Sequence, residues 1–243
     1  MKPLIIFLTL FFYSCAPNIN GIERKAKRGS VYSCERAVHY YKFKPHSTPN
    51  NTFAIEKIMT FCKLGIAYDT CSNNNCESYK DIFYRELAKS ILTKNSEKNY
   101  YYLHAAKLGD IESQLQMGYS YMHGTYTKIN NDSAIYWIKK ASDNNITNYY
   151  NTYIPYTHAN ELSSEATKTL GDIYYKGQIT TLDISKALYY YKKACACKYE
   201  SLDISACDSL ISFYKKTENI EDSVDLKIYS ELKQLHIKRM SNR

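Results

Sequence analysis

The stretch ATKTLGDIYYKGQITTLDISKALYYYKKAC, residues 166–195, predicts two short α-helices joined by a tight turn. Small and apolar side chains recur at three- and four-residue spacing in both halves, which is the period of one helix face. The two faces comprise Ala166, Leu170, Ile173 and Tyr174, and then Ala187, Tyr190, Tyr191 and Ala194. Gly177 is expected to end the first helix, because glycine adopts a left-handed backbone without a steric penalty. Asp183 is a good N-cap for the second helix.

A second stretch, residues 113–142, carries the same pattern 53 residues upstream. The corresponding residues, in order, are Ser113, Met117, Gly118, Tyr121, Gly124, Asp132, Ala134, Trp137, Lys140 and Ala141. A helix pair that recurs along a chain is typical of an α-solenoid, in which each pair buries its apolar face against its neighbours. The sequence therefore predicts an all-α fold built from stacked helix–turn–helix repeats.

Both stretches resemble the Sel-1-like branch of the tetratricopeptide repeat superfamily. The shared motif is A-x-x-x-L-G-x-x-Y-x-x-G, then Asp, then K-A-x-x-Y-Y-x-K-A, and residues 166–194 match it nearly throughout. The resemblance implies a right-handed superhelix of helix pairs with a period of about 36 residues. The larger spacing of the two stretches then implies an insertion of roughly 17 residues, which we assign to about residues 144–163. We expect repeats over residues 53–216 and a C-terminal capping helix within residues 217–243.

Residues 1–15, MKPLIIFLTLFFYSC, predict a signal peptide. One basic residue precedes an apolar run that is too short to span a membrane. The end of this segment, Phe12-Tyr13-Ser14-Cys15, resembles the lipobox of bacterial lipoproteins, which implies that Cys15 becomes the lipidated N-terminus. The alternative is an ordinary cleaved signal peptide and a secreted protein. We expect residues 16–52 to form a tether and a degenerate first helix.

The chain has eight cysteines, which in an exported protein indicate a disulfide framework. Two pairs, Cys62 with Cys71 and Cys195 with Cys207, would each join the end of one helix pair to the start of the next helix. This arrangement resembles the cysteine-rich bacterial Sel-1-like proteins, in which a disulfide links consecutive repeats. The pairing stays open for Cys34, Cys76 and Cys197.

No motif in the sequence predicts a metal, a cofactor or a nucleic acid as ligand. Cys195-x-Cys197 and Cys71-x4-Cys76 lack the two-residue spacing of zinc sites, and no histidine lies at a matching distance. There is no glycine-rich phosphate loop. The net charge of +8 is scattered, apart from the terminal IKRMSNR, and no nucleic-acid-binding motif accompanies it.

Tyrosine is unusually abundant, with 26 residues. Tyrosine suits the interior of a helical repeat, because its ring packs while its hydroxyl stays wet or hydrogen-bonded. Packing therefore accounts for most of these rings, and a surface that binds a ligand by its rings is the alternative.

The weak catalytic candidate is Ser212 with Lys215, which fit the S-x-x-K pattern of a lysine-activated serine. The cysteine-rich relatives have been linked to penicillin binding and weak β-lactamase activity, so the resemblance implies such a hydrolase as the alternative function. No S-D-N or K-T-G accompanies the pattern, and a second S-x-x-K at residues 230–233 shows how readily it arises by chance. We therefore expect a non-catalytic protein.

These features together predict an exported, lipid-anchored repeat protein at the bacterial cell envelope, in the periplasm or on the outer membrane. Solenoids offer an extended concave surface, so the expected ligand is a protein or peptide. Membrane contact is expected through the lipid anchor alone. The sequence does not identify the concave-face residues that would bind this ligand.

Overall fold

The computed structural model of the 243-residue chain describes residues 18–43, 51–70, 78–143, 156–195 and 204–216, with parts of 225–238. Every regular element within these residues is an α-helix, which confirms the predicted all-α class. The chain divides into two compact units, Met1–Thr93 and Lys94–Arg243.

The first unit contains α1 (Ile19–Lys27), α2 (Val31–Phe43), α3 (Thr52–Tyr68) and α4 (Lys80–Lys89). The second contains α5 (Asn95–Lys107), α6 (Ile111–His123), α7 (Asn131–Ser142), α8 (Tyr156–Lys176), α9 (Ile184–Cys195) and α10 (Ile204–Lys216). Within the second unit each helix packs against the next, and α6 also contacts α8. Contacts between alternate helices of this kind are what a stack of helix pairs produces.

In the first unit, α2 packs against both α1 and α3, and α3 packs against α4. Small and aromatic side chains fill the contacts; the buried ones include Ala26, Cys34, Ala37, Phe61, Cys62, Phe83 and Leu87. Two ion pairs add to this packing. Lys57 on α3 reaches Glu23 on α1 at 3.0 Å, and Lys42 on α2 reaches Glu86 on α4 at 2.6 Å.

Helix α1 replaces part of the predicted tether, so the expectation for residues 16–52 is wrong over residues 19–27. Asn18 caps the helix, since its side-chain oxygen accepts a hydrogen bond of 3.0 Å from the backbone N–H of Gly21. Ala26 is fully buried, and the Cys34 thiol donates a weak hydrogen bond of 3.9 Å to its carbonyl oxygen. The basic side chains that suggested a tether occupy the last turn of α1, where they complement the helix dipole.

Helices α6 and α7 form the helix pair predicted at residues 113–142. Gly124 follows α6 with a φ of 72°, the left-handed conformation expected of a glycine at this position. The N-cap of α7 is Asn130, which accepts a 2.8 Å hydrogen bond from the N–H of Ser133, and not the aligned Asp132. Asn130 lies 53 residues before Asp183, so the strict register of the two repeats extends through the turn.

Helices α8 and α9 form the pair predicted at residues 166–195. Gly177 has a φ of 62° after α8, and Asp183 accepts a 2.9 Å hydrogen bond from the N–H of Lys186. Helix α8 begins at Tyr156, so the end of the predicted insertion at residues 144–163 is helical. Ala159 and Leu162 extend the buried face upstream, which explains why the helix continues there. Residues 144–155 lie outside the described part of the chain.

One apolar core joins the two repeats. It consists of Ile111, Leu115, Ile138, Ala141, Ala159, Leu162, Ala166, Leu170 and Ile173, from α6, α7 and α8. Polar contacts close the end of α7 beside this core. The Ser142 carbonyl oxygen accepts hydrogen bonds from the Ser163 hydroxyl (3.2 Å) and the Lys193 Nζ (3.5 Å).

A disulfide between Cys195 and Cys207 joins the last residue of α9 to α10, which confirms the predicted link between consecutive repeats. The bridge lies in a second core with Ala187, Tyr191, Ala194, Ala206, Leu210 and Tyr214. The two sulfur atoms are therefore buried among apolar side chains.

Part of the predicted capping segment, residues 217–243, is described and is helical, including residues 227–231. The ring of Tyr229 stacks on that of Tyr214 with centroids 6.4 Å apart, and Asp225 pairs with Lys192 at 2.7 Å. These contacts place the segment against α9 and α10. None of the described helices combines the length and the hydropathy of a membrane span.

Candidate functional site

One exposed aromatic position recurs on alternate helices of the second unit. The position is occupied by Tyr100 on α5, Tyr136 on α7 and Tyr189 on α9. Each of these tyrosines lies five residues before an aligned alanine in the last turn of its helix, which is Ala105, Ala141 or Ala194. Between 52% and 61% of each of these tyrosines is exposed to solvent. Each ring stands nearly edge-on to the next aromatic residue in sequence, with centroids 5.1–5.4 Å apart. The repeat therefore presents the same aromatic pair three times.

A groove of about 710 Å³ opens between the C-terminal ends of α5 and α7. Its lining among the described residues comprises Ala106, Lys107, Leu108, Gly109, Gln114, Tyr136, Trp137, Lys139, Lys140 and Asp143. Gln114 is buried and donates a 3.1 Å hydrogen bond to the Ala106 carbonyl oxygen, which fixes α6 against the end of α5. Trp137 is the single tryptophan of the chain and is largely buried in the wall.

The lining of this groove carries surplus positive charge. Lys107, Lys139 and Lys140 are exposed, and none of them forms an ion pair with another described residue. The Nζ of Lys140 lies 5.8 Å from the centre of the Tyr136 ring, a cation–π arrangement. Among the described lining residues the one acidic side chain is that of Asp143, which is paired with Lys193 of α9 at 2.9 Å.

The equivalent position one repeat later is bridged by an ion pair. Lys193 occupies the place in α9 that Lys140 occupies in α7, one residue before the aligned alanine. Asp143, just after α7, is equivalent to Lys107 at the end of α5, since each lies two residues after the aligned alanine of its own helix. Opposite charges therefore meet between α7 and α9, whereas lysines face the groove from both α5 and α7.

Two tyrosines between α6, α8 and α9 form hydrogen bonds that join neighbouring helices. Tyr119 on α6 donates a 2.8 Å hydrogen bond to Glu165 on α8. Burial, reinforced by this carboxylate, raises the pKa of Tyr119 to about 12. Tyr191 on α9 donates a 2.7 Å hydrogen bond to Asp172 on α8, and burial first, then this contact, raises its pKa. These rings serve packing, as predicted for most of the tyrosines.

The predicted catalytic candidate, Ser212 with Lys215, lies on α10. Ser212 and Lys215 are both exposed on α10, outside the groove lining. Within the described residues, no cluster of histidine, cysteine and carboxylate side chains is arranged to hold a metal ion.

The structure has a free, buried thiol at Cys62 instead of the predicted disulfide to Cys71. Helix α3 continues past Cys62 to Tyr68, whereas α9 ends at Cys195, so Cys62 lies inside a helix rather than at its exit. Burial raises the pKa of Cys62, and the nearby Glu86 carboxylate adds to the effect. Cys34 is also free and buried, and burial raises its pKa to about 11. Cys15, Cys71, Cys76 and Cys197 lie outside the described residues.

Sequence reasoning did not find the groove. Its lysines lie at the ends of two different helices, 33 residues apart at Lys107 and Lys140, and each is ordinary in its local context. The sequence signal that could reveal the groove is the alignment of the repeats, in which the position of Asp143 after α7 is occupied by Lys107 at the end of α5.

The repeated helix pair, the left-handed glycine at its turn and the bridge between pairs define a helical repeat protein of the α-solenoid class. Residues 111–146 and 165–199 match the family model of the Sel1 repeat, and the chain therefore carries Sel1 repeats over these segments. A Sel1-repeat scaffold indicates protein–protein interaction as the kind of function. No curated protein matches the chain.

A solved structure supports the same fold. One similar structure is c5321, described as a protective antigen present in uropathogenic Escherichia coli strains displaying an SLR fold. It superposes with a TM-score of 0.59 at 15% identity, over 83% of this chain and 37% of that one. This chain thus spans little more than a third of that protein. A Sel1 repeat protein from Oxalobacter formigenes matches with a TM-score of 0.40 at 16% identity, over 92% of both chains.

Proposed function

We propose that this chain is exported to the bacterial cell envelope, is anchored there by a lipid on Cys15, and binds a protein or peptide without catalysing a reaction. The observation that carries the binding proposal is the exposed aromatic and lysine surface on α5, α7 and α9. Large exposed aromatic residues are enriched where proteins bind one another, because they bury much area at little entropic cost. The proposal of export rests on the signal-like residues 1–15 and on the cysteine content.

Export and anchoring are tested by the intact mass of the protein from native membranes, with and without reductant and alkylation. The expected chain begins at Cys15, carries the mass of a diacylglycerol, and contains at least the Cys195–Cys207 disulfide. A secreted chain with a free N-terminus would overturn the lipid anchor and would indicate an ordinary cleaved signal peptide. An unprocessed chain with eight alkylatable thiols would overturn export.

Binding is tested by photo-crosslinking in the native cells. A photoreactive residue replaces Tyr136 on α7 in one chain and Glu165 on α8 in another, and a control chain carries it at Lys176, which is also exposed. A discrete protein adduct at Tyr136 or Glu165 that is missing at Lys176 is the expected result. Further chains carry the photoreactive residue at Tyr100 or Tyr189, which are equivalent to Tyr136. The absence of an adduct at all four positions, Tyr100, Tyr136, Glu165 and Tyr189, would contradict a scaffold function.

A further inference from the structure

We propose that the groove between α5 and α7 is the docking site for an acidic peptide segment that carries an aromatic or aliphatic side chain. This inference rests on the proposed binding function and specifies its site and the chemistry of the partner. It makes the α5–α7 groove, rather than the hydrogen-bonded face of α6 and α8, the surface that recognises the ligand.

The charges of the groove complement those of an acidic ligand. Lys107, Lys139 and Lys140 line the groove, and its one carboxylate is already paired with Lys193 of the next repeat. Basic side chains in a last helical turn stabilise their own helix, but here the last turns of two helices face one gap. A ligand with carboxylates would supply the opposite charges that Asp143 supplies to Lys193 between α7 and α9.

The groove also has apolar surface among these charges. Leu108 is 51% exposed and Tyr136 is 53% exposed, and both side chains line the groove. Exposed apolar groups set among cations suit a hydrophobic side chain flanked by carboxylates. Leu108 suits a nucleic acid less well, because its side chain offers neither a hydrogen bond nor a stacking face.

The size of the groove suits a short peptide segment. The volume of about 710 Å³ lies inside the range of roughly 300–1,000 Å³ in which proteins bury small ligands and peptide side chains. The groove can therefore hold a short peptide segment but not a folded domain, so a protein partner would insert a loop or a tail.

The test uses the full chain and the fluorescence of Trp137, the only tryptophan, which reports directly on the wall of the groove. The ligand is the blocked peptide Glu-Glu-Phe-Glu-Glu. Its controls are Lys-Lys-Phe-Lys-Lys, which reverses the charge, and Glu-Glu-Ala-Glu-Glu, which removes the ring. The acidic aromatic peptide is expected to change the tryptophan emission saturably, and both controls are expected to bind about tenfold more weakly or worse.

The variant Lys107→Glu/Lys140→Glu reverses two charges of the groove. The matched variant Lys128→Glu/Lys227→Glu makes the same net change at exposed lysines of the same unit outside the lining. The groove variant is expected to lower affinity by about tenfold or more, and the matched variant by less than about twofold. If thermal melting shows that the groove variant is unfolded, Lys107→Gln/Lys140→Gln takes its place with the same expectation.

Equal binding of the acidic and basic peptides would overturn the proposal, and so would unchanged affinity in the folded groove variant. An oligothymidylate of equal charge that binds more tightly than the peptide would overturn the assignment to a peptide. These outcomes are separate from failure of the proposed function. If Glu165 gives a crosslinked adduct but the acidic peptide does not change the Trp137 fluorescence, the proposed binding function stands and only this groove is rejected as its site.

Discussion

The backbone of Gly171 lies directly against the aromatic ring of Tyr191, and Gly118 stands in the same relation to Ile138 one repeat earlier. A methyl group at position 171 would come within 2.6 Å of the Tyr191 ring. The two glycines are 53 residues apart, as are the two side chains that cover them. In the first unit, Gly65 meets Phe83 in the same way. A small residue therefore sets how closely the helices of a pair approach.

Gly171→Ala is expected to lower the free energy of unfolding by about 1–3 kcal/mol, because the added methyl group overpacks the contact with Tyr191. Urea unfolding followed by circular dichroism measures the change. The control is Gly21→Ala in α1, where the new methyl group would meet only the Asn18 side chain, at 3.4 Å, and where alanine favours a helix. Equal losses in the two variants would show that the tight contact is not the cause.

Removing the disulfide with Cys195→Ser/Cys207→Ser is expected to lower the free energy of unfolding by about 3 kcal/mol, through the restored freedom of the unfolded chain. Denaturant titration of the oxidised wild type, the reduced wild type and the variant measures this. The reduced wild type and the variant should have similar midpoints. A variant as stable as the oxidised wild type would mean that packing alone holds α10 on α9.

Cys34 and Cys62 are expected to resist alkylation in the folded protein. Burial raises the pKa of Cys34 from 9.0 to about 11, so its thiolate fraction at neutral pH falls about a hundredfold. Timed alkylation with a maleimide, followed by peptide mass mapping of both sites, measures the rates. Both thiols should react fully once the chain is unfolded in denaturant. Recovery of Cys62 in a disulfide-linked peptide with Cys71 would instead restore the pairing expected from the sequence.

The ion pair between Asp225 and Lys192 is expected to make stability depend on pH in the acid range. The hydrogen bond from Lys192 lowers the pKa of Asp225 below its ordinary 3.8. This contribution is therefore complete above about pH 4 and is lost as the pH falls through the lowered pKa. A double-mutant cycle with Asp225→Asn and Lys192→Met should give a coupling of about 0.5–1 kcal/mol at pH 6, since the pair is partly exposed. A coupling that persists unchanged at pH 2 would contradict the assignment to the charged carboxylate.

The sequence predicts most reliably those features for which few residue types are suitable. Gly124 and Gly177 end helices in the left-handed conformation, and Asp183 caps α9, because few residues can do either. Helix α1 was not predicted, because its apolar stripe is short and its charges resemble those of a linker. The groove was not predicted because it depends on the juxtaposition of two helix ends, which no local pattern encodes.

The end of helix α7 has a consequence for the folding of the chain during its synthesis. The carbonyl oxygen of its last residue, Ser142, accepts hydrogen bonds from Ser163 and Lys193, which belong to the next repeat. A ribosome delivers α7 before either of these residues, so the nascent helix leaves this end open to water until its successor emerges. This repeat is thus completed by the repeat that follows it in the chain.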